Sequence, residues 1–112
     1  MMKRLSWLAV LGVAACGPYD PSGRAAGVAA LTADGTKGAT LYMGQCASCH
    51  ASDGKGVAST GGADLTAIVG QRTTFQLASI VLNGEGKMAP LPGMKDQEIA
   101  DTVAYVKATF GK

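Results

Sequence analysis

The stretch Cys46-Ala47-Ser48-Cys49-His50 decides the fold predicted for this chain. Residues three positions apart lie on one face of a helical turn, so both thiols can reach the two vinyl groups along one edge of a porphyrin. The histidine that follows can turn an imidazole nitrogen towards the iron. This pattern is the attachment site for c-type haem. We therefore expect one covalently bound haem c, with Cys46 and Cys49 as its thioether residues.

The same residues admit three other interpretations. A thioredoxin-like redox pair normally opens a helix after a buried strand, whereas residues 39–45 have the character of a helix. A structural zinc site needs four ligands, but the chain has three cysteines and one histidine, and one cysteine lies far away. A disulfide between Cys46 and Cys49 would close a loop too short to constrain the unfolded chain much. Haem attachment explains the whole motif best.

Residues 1–15 have the layout of a secretory signal peptide. The basic residues Lys3 and Arg4 precede an apolar stretch from Leu5 to Val13, and small residues follow it. At a rise of about 1.5 Å per residue, this stretch is too short to span a bilayer core of about 30 Å. We expect an exported protein on the periplasmic or another extracytoplasmic face.

The residues Val13-Ala14-Ala15-Cys16 resemble the lipobox of bacterial lipoproteins, in which cleavage leaves the cysteine first and lipid-modified. Cys16 would then anchor the protein to a membrane. The alternative is ordinary signal cleavage nearby, which leaves Cys16 as a free thiol or removes it. A free reactive thiol is a liability in an oxidising compartment, which favours lipidation.

Residues 16–37 are predicted to form a flexible tether. The segment is rich in Gly, Ala and Pro, lacks apolar periodicity, and has turn formers at Pro18, Pro21 and Asp34. A flexible coil of about twenty residues would hold the domain about 25 Å from its anchor. A partly ordered extension lying on the domain is the alternative that the sequence leaves open.

Charge gives little indication of a partner. Without Lys3 and Arg4, the chain has eight basic and eight acidic residues. It has neither a basic block nor an aromatic platform, so we expect no nucleic-acid binding. Lys55, Lys87 and Lys95 flank the candidate haem segments and could surround a haem edge, although solvated surface lysines are the simpler interpretation.

Residues 38–112 are predicted to form one all-α domain, with three main helices and long loops wrapped around the haem. The first helix is expected over 39–49. Thr73-Thr74-Phe75-Gln76 has the form of a capping box for a second helix that stops at Asn83-Gly84. Asp96 is expected to cap the last helix. Its apolar residues recur along one face: Ile99, Val103, Val106 and Phe110. A core of about seventy residues is marginal by itself, and a buried porphyrin would supply its apolar centre.

The candidates for the sixth iron ligand can be reduced by elimination. His50 is the only histidine in the chain, so a monomer cannot offer two imidazoles, and methionine is the common alternative. Met43 lies on the helix that carries the thiols, on the wrong side. Met88 lies in an irregular stretch that can present it inward, whereas Met94 precedes the last helix and would more often act as an apolar staple. We expect His50 and Met88 as axial ligands, with Met94 as the alternative.

At this point the chain resembles a known family, the small class I cytochromes c of bacteria. The resemblance covers roughly residues 38–110 and is carried by the following residues: Gly38, Tyr42, the 46–50 motif, Gly54, Gly56, Asp64-Leu65, Ile80 to Gly84, Met88, and Asp96 to Val106. It implies that Gly38 and Tyr42 face Thr102 and Tyr105 where the first and last helices cross. It also places Met88 in the position of the iron ligand.

The chain departs from the family pattern at two places. Where the family has Gly-Pro, with a proline carbonyl that accepts a hydrogen bond from the proximal histidine, this chain has Gly62-Ala63. Ala63 offers the same carbonyl, but its φ is less restricted than that of proline. The family's Met-Pro is replaced by Met88-Ala89-Pro90, which loosens the ligand loop.

Together these features predict a membrane-tethered, monomeric electron carrier with one haem, working between a redox protein donor and a redox protein acceptor, and not an enzyme. One alternative is a haem c subunit fixed in a larger oxidoreductase. Another is a gas-binding or peroxidatic haem protein with an open iron, for which the sequence shows no distal histidine or arginine pattern.

Overall fold

The computed structural model describes residues 20–112, and every regular element within this range is helical. The elements in chain order are α1 (Arg24–Ala29), α2 (Gly35–Gln45), α3 (Ala47–His50), a 3-10 turn (Ala58–Thr60), α4 (Leu65–Ile68), a second 3-10 turn (Val69–Gln71), α5 (Thr74–Asn83) and α6 (Asp96–Phe110). The predicted all-α class is confirmed. The signal peptide expected over residues 1–15 and the expected lipidation site Cys16 lie outside the described residues. Among the helices of residues 20–112, none has both the length and the apolarity needed to cross a bilayer.

Helices α2 and α6 form the main crossing of the fold. Gly38 is buried where the helices meet, and a Cβ at this position would overlap the backbone carbonyl of Asp101. Tyr42 is fully buried one turn later, with its ring centroid 5.5 Å from that of Tyr105 and 5.4 Å from that of Phe110. The expected approach of Gly38 and Tyr42 to Tyr105 is confirmed. The absence of a side chain at Gly38 permits this close contact.

The start of α2 is joined to α6 by a relay of hydrogen bonds. The Asp34 carboxylate caps α2 by accepting from the backbone N–H groups of Thr36 and Lys37. The backbone N–H of Asp34 in turn donates to the buried carboxylate of Asp101, at 2.8 Å. Gln97 donates to the same oxygen, also at 2.8 Å. The buried charge of Asp101 is therefore compensated by two donors.

Helix α5 begins and ends as its sequence predicts. The Thr73 hydroxyl accepts from the backbone N–H of Gln76, and the Gln76 side chain accepts from the backbone N–H of Thr73. The helix stops at Asn83, before Gly84. Its buried face joins a core with residues of α1 and α6: Ala25, Val28, Leu77, Ala78, Leu82, Met94, Ile99, Ala100 and Val103. Leu77 and Val103 of this core also line the cavity between the helices, so core and cavity are continuous.

The flexible tether expected over residues 16–37 is wrong for its described part. Residues Arg24–Ala29 form α1, and Ala25 and Val28 are completely buried against α5 and α6. The Asp20 carboxylate accepts from the backbone N–H of Ala25 at 2.7 Å and so stabilises the start of the helix. The sequence hid this element because α1 has only two apolar anchors on its buried face, too few to produce a visible period.

Two helix boundaries also differ from those expected. The first helix begins at Gly35, with Asp34 as its cap, and is interrupted at Cys46 before the short α3. Asp96 is the first residue of α6 and not its cap. The capping interaction comes from Glu98, whose carboxylate accepts from the backbone N–H of Lys95 at 2.9 Å. Asp96 is directed instead towards Arg24, which the sequence could not indicate.

Candidate functional site

One cavity of about 370 Å³ lies between the motif at residues 46–50 and helices α5 and α6. Its walls are mainly apolar, with contributions from Ile68, Leu77, Ile80, Val81, Leu91, Val103 and Val106. Cys46, Cys49, His50 and Met88 all line it. The structure thus brings together the four residues that the sequence singles out, from two segments about forty positions apart. We call residues 46–63 the proximal segment and residues 84–95 the Met88 loop.

The two thiols are presented by the break between α2 and α3. Cys46 closes α2 by donating its N–H to the carbonyl of Tyr42 at 2.8 Å, and its own carbonyl accepts from the N–H groups of Cys49 and His50. Cys46 is half-buried and Cys49 is exposed. Burial, with a smaller effect from Cys49, raises the pKa of the Cys46 thiol to about 11. A redox thiol pair of the thioredoxin type requires the opposite shift, so this environment argues against that alternative.

A hydrogen bond within the proximal segment holds the imidazole of His50. Its Nδ1 lies 2.9 Å from the carbonyl oxygen of Ala63, and because a carbonyl only accepts, Nδ1 carries the proton. The other ring nitrogen, Nε2, is then unprotonated and can bind a metal. Ala63 therefore provides the carbonyl expected of it in place of proline. Gly62 lies so close to the Cys49 backbone carbonyl that a Cβ would overlap it.

A hydrogen bond joins Tyr42 of α2 to Ala51 of the proximal segment. The Tyr42 hydroxyl donates to the carbonyl oxygen of Ala51 at 2.6 Å. Burial, with smaller effects from Cys46, Tyr105 and Asp53, raises the pKa of Tyr42 to about 12, so the hydroxyl keeps its proton. Ala51 has φ 67° and ψ 160°, a backbone conformation that is essentially restricted to glycine. The strained turn sends the chain away directly after His50, and sequence reasoning missed both it and the hydrogen bond.

The methionines occupy three different environments. Met88 lines the cavity, and a two-residue turn presents it, in which the backbone groups of Glu85 and Met88 exchange hydrogen bonds of 3.1 and 2.9 Å. Met94 is buried in the core and does not line the cavity, as expected of an apolar staple. Met43 is 54% exposed. Among the methionines of the described residues, only Met88 reaches the cavity.

The cavity fits a covalently attached haem better than the other cofactors considered. It combines an apolar interior, two unpaired thiols and one imidazole with a free nitrogen, which is the donor set for haem c. Within residues 20–112, no three His, Cys, Asp or Glu side chains come together to hold a metal ion. The zinc interpretation therefore has no support in this part of the chain.

Polar and charged side chains collect on the open side of the cavity. Glu85 and Lys87 line its rim, and the Lys87 side chain packs against Gly61. Lys55 and Lys95 are exposed but do not contribute to the walls. Of the three lysines considered from the sequence, Lys87 alone is placed beside the cavity, while all three are solvated.

Comparison with known protein families gives an independent indication of what the chain is. Residues 33–106 match the family model described as cytochrome c oxidase, cbb3-type, subunit III. The chain belongs to this cytochrome c family. It is therefore a haem c electron-transfer protein with an all-α cytochrome c fold. No match was found among curated proteins or among solved structures.

Proposed function

We propose that this cytochrome c domain carries electrons through a single haem whose iron is bound by His50 and Met88. The observation that carries the proposal is the meeting of Cys46, Cys49, His50 and Met88 on one cavity, with Met94 and Met43 elsewhere. The sequence contains one attachment motif, which corresponds to one haem on this chain. Bound haem supplies an iron centre that gains and loses one electron.

The residues of the chain perform the remaining tasks. Cys46 and Cys49 would hold the haem through thioethers. The hydrogen bond from His50 to Ala63 fixes the imidazole orientation and would make Nε2 a better ligand. A Met88 thioether bound to the iron would raise the reduction potential. The apolar walls exclude water, while the exposed Cys49, Gly61 and Ala63 leave one edge open to a redox partner.

We further propose that Cys16 is lipidated and holds the domain close to a membrane on the extracytoplasmic face. Asp20 is already hydrogen-bonded to the domain, so only residues 17–19 separate Cys16 from it in the sequence. Four residue steps reach at most about 14 Å. This is shorter than the separation expected of a tether that extends to residue 37. Replacement of Cys16 by Ala should release the protein from membranes, and persistent attachment would refute the anchor.

The family description favours a second candidate, a fixed haem subunit of a larger oxidoreductase. Such a subunit should remain in a stable complex after mild membrane extraction, whereas a mobile carrier should be recovered as a monomer. An open-iron protein that binds gases or peroxide is less consistent with the site, because the residues lining the cavity include one histidine and no arginine. Carbon monoxide binding to the ferrous protein distinguishes this open-iron alternative from the proposed carrier.

The axial ligands are tested by replacing methionines one at a time in the haem-loaded protein. Met88→Ala should convert a low-spin iron into a high-spin one and allow rapid carbon monoxide binding to the ferrous protein. Met43→Ala is the matched control, because it removes the same side chain from an exposed position. Rapid carbon monoxide binding by the unmodified protein, unchanged in Met88→Ala, would contradict the proposal.

A further inference from the structure

The Met88 loop has few attachments of its own. The Glu85 and Met88 turn closes on itself, and the N–H of Leu91 donates to the carbonyl of Val81 at 2.7 Å. Most residues of the loop are exposed, and within it only Met94 is buried in the core. A loop with so few buried contacts opens at low cost unless other parts of the chain hold it.

Arg24, the first residue of α1, holds the far end of this loop. Its Nη1 donates to the carbonyl of Pro92 at 2.9 Å, and its Nη2 donates to the carbonyl of Met94 at 2.8 Å. Its Nε donates to the Asp96 carboxylate at 2.8 Å, and the same carboxylate lies 2.6 Å from Nη2. The planar guanidinium thus contacts acceptors on three alternate residues through three separate nitrogens, whereas an ammonium group would have to reach them from a single nitrogen.

Asp20 connects α1 to the near end of the loop. Its Oδ1 accepts from the side-chain amide of Asn83, the last residue of α5, at 3.0 Å. Its Oδ2 accepts from the backbone N–H of Ala25 in α1. Asn83 also donates to the carbonyl of Ser79, so its amide is fixed within α5. Both ends of the Met88 loop are therefore attached to one short helix, which is itself packed through Ala25 and Val28.

We propose that Asp20 and α1, with Arg24 as its first residue, form a clasp that keeps the Met88 loop closed over the cavity. Arg24 is a positioning residue, because it acts on the iron ligand through the loop backbone. The clasp lies before residues 33–106, the range that matches the cytochrome family. The inference rests on the proposed role of Met88 as an iron ligand.

Imidazole binding to the ferric, haem-loaded protein measures loop opening, because added imidazole can bind only where Met88 has left the iron. The apparent affinity rises in proportion to the open fraction. Loss of the Arg24 contacts should raise that fraction, so we expect Arg24→Ala to bind imidazole about tenfold more tightly. The imidazole affinity of Arg24→Lys should lie between that of the unmodified protein and that of Arg24→Ala. Asp20→Asn should also raise the affinity, but by a smaller factor.

Two controls separate positioning from general stability. Arg72→Ala removes the same charge from a side chain that makes no hydrogen bond or ion pair within residues 20–112, and should leave imidazole affinity unchanged. Phe110→Leu loosens the aromatic contacts with Tyr42, neither of which belongs to the Met88 loop or the clasp, and should lower the urea midpoint without raising imidazole affinity. If Arg24→Ala behaves like Arg72→Ala, or if Phe110→Leu raises the affinity equally, the clasp is refuted.

The unmodified protein and Met88→Ala distinguish failure of the clasp from failure of the proposed ligand. With Met88 on the iron, the unmodified ferric protein shows the weak far-red sulfur-to-iron band, which Met88→Ala loses while it binds imidazole most tightly. Absence of that band from the unmodified protein refutes the ligand assignment and the clasp with it. Its presence, with unchanged imidazole affinity in Arg24→Ala and Asp20→Asn, refutes the clasp alone.

Discussion

The proximal segment and the Met88 loop face the same cavity but are held in different ways. The proximal segment is closed by contacts among near neighbours in sequence. Its backbone groups pair at 2.8 Å between Gly56 and His50, and at 3.0 Å between Val57 and Cys49. The Met88 loop is hydrogen-bonded to Arg24, and the adjoining Asn83 to Asp20, across more than sixty positions of sequence.

This difference indicates which of the two regions should open first. The proximal segment combines short backbone contacts with the side-chain hydrogen bonds of Tyr42 and His50, so a local change there should affect the whole domain. The Met88 loop is mostly exposed and should tolerate side-chain additions. If Met88 binds the iron as proposed, opening of the loop would remove this ligand without unfolding the protein, because local openings generally cost less free energy than global unfolding.

The largest expected effect comes from adding one methyl group to each region. In Gly62→Ala the new Cβ would overlap the Cys49 carbonyl, and relief of the overlap would displace backbone, at a cost of about 3 kcal/mol. In Gly93→Ala the Cβ meets no atom within 4 Å, so the free energy of unfolding should change by less than about 0.5 kcal/mol. Urea unfolding measures both values. Equal losses in the two variants would remove the contrast between the regions.

A smaller effect is expected when the Tyr42 hydroxyl is removed. Tyr42→Phe keeps the buried ring but leaves the Ala51 carbonyl without its donor, which should cost about 1.5 kcal/mol of unfolding free energy. Tyr105→Phe is the matched control, because the Tyr105 hydroxyl makes no hydrogen bond within residues 20–112. Thermal or urea unfolding compares the two, and an equal effect in both variants would show that the hydroxyl of Tyr42 contributes nothing specific.

The strained turn after His50 should respond in the opposite direction. Ala51→Gly permits the positive φ without strain and should stabilise the domain by about 1 kcal/mol, after allowance for the greater freedom of glycine when unfolded. Ala47→Gly, four residues earlier in α3, should destabilise it by a similar amount. The two urea midpoints should therefore move in opposite directions. A loss of stability in Ala51→Gly would show that this turn is not strained.

The sequence singled out residues that line the cavity, but not the hydrogen bonds between distant residues around it. The spacing of Cys46, Cys49 and His50 encodes a single helical turn, and the capping box at Thr73 is equally local, so both were visible as patterns. Met88 could be selected because the chain has few methionines and the alternatives lay on helices or beside one. These are properties of short stretches of chain, and the structure arranges them as short stretches suggest.

The clasp could not be predicted, because its meaning depends on distant partners. Arg24 looks like an isolated charge in a Gly- and Ala-rich segment, and its acceptors are two backbone carbonyls and Asp96. Backbone carbonyls carry no sequence signal. The expectation that Asp96 caps α6 is wrong for a related reason, because Lys95 occupies the cap position and the Asp96 carboxylate binds the distant Arg24. The hydrogen bond from Tyr42 to Ala51 was hidden in the same way.

The smallest expected effect is the pH dependence of the clasp. Partial burial raises the pKa of Asp20, but hydrogen bonds from Asn83, Ser22 and Ala25 outweigh it and lower the pKa from 3.8 to about 2. The ionised carboxylate therefore stabilises the fold above pH 4, and this contribution is lost as the pH falls towards 2. Solvent screening limits it to less than about 1 kcal/mol. The difference in urea midpoint between the unmodified protein and Asp20→Asn should shrink over this range, and a constant difference would contradict the assignment.

The most direct test of the central claim is the intact mass of the purified, processed protein after denaturing chromatography. Covalent attachment through Cys46 and Cys49 predicts a mass greater than that of the polypeptide by one haem, with any lipid on Cys16 adding a separate increment. Replacement of both Cys46 and Cys49 by serine should remove the haem increment alone. A mass that lacks one haem in the unmodified protein, or a haem that survives the double replacement, would contradict the account.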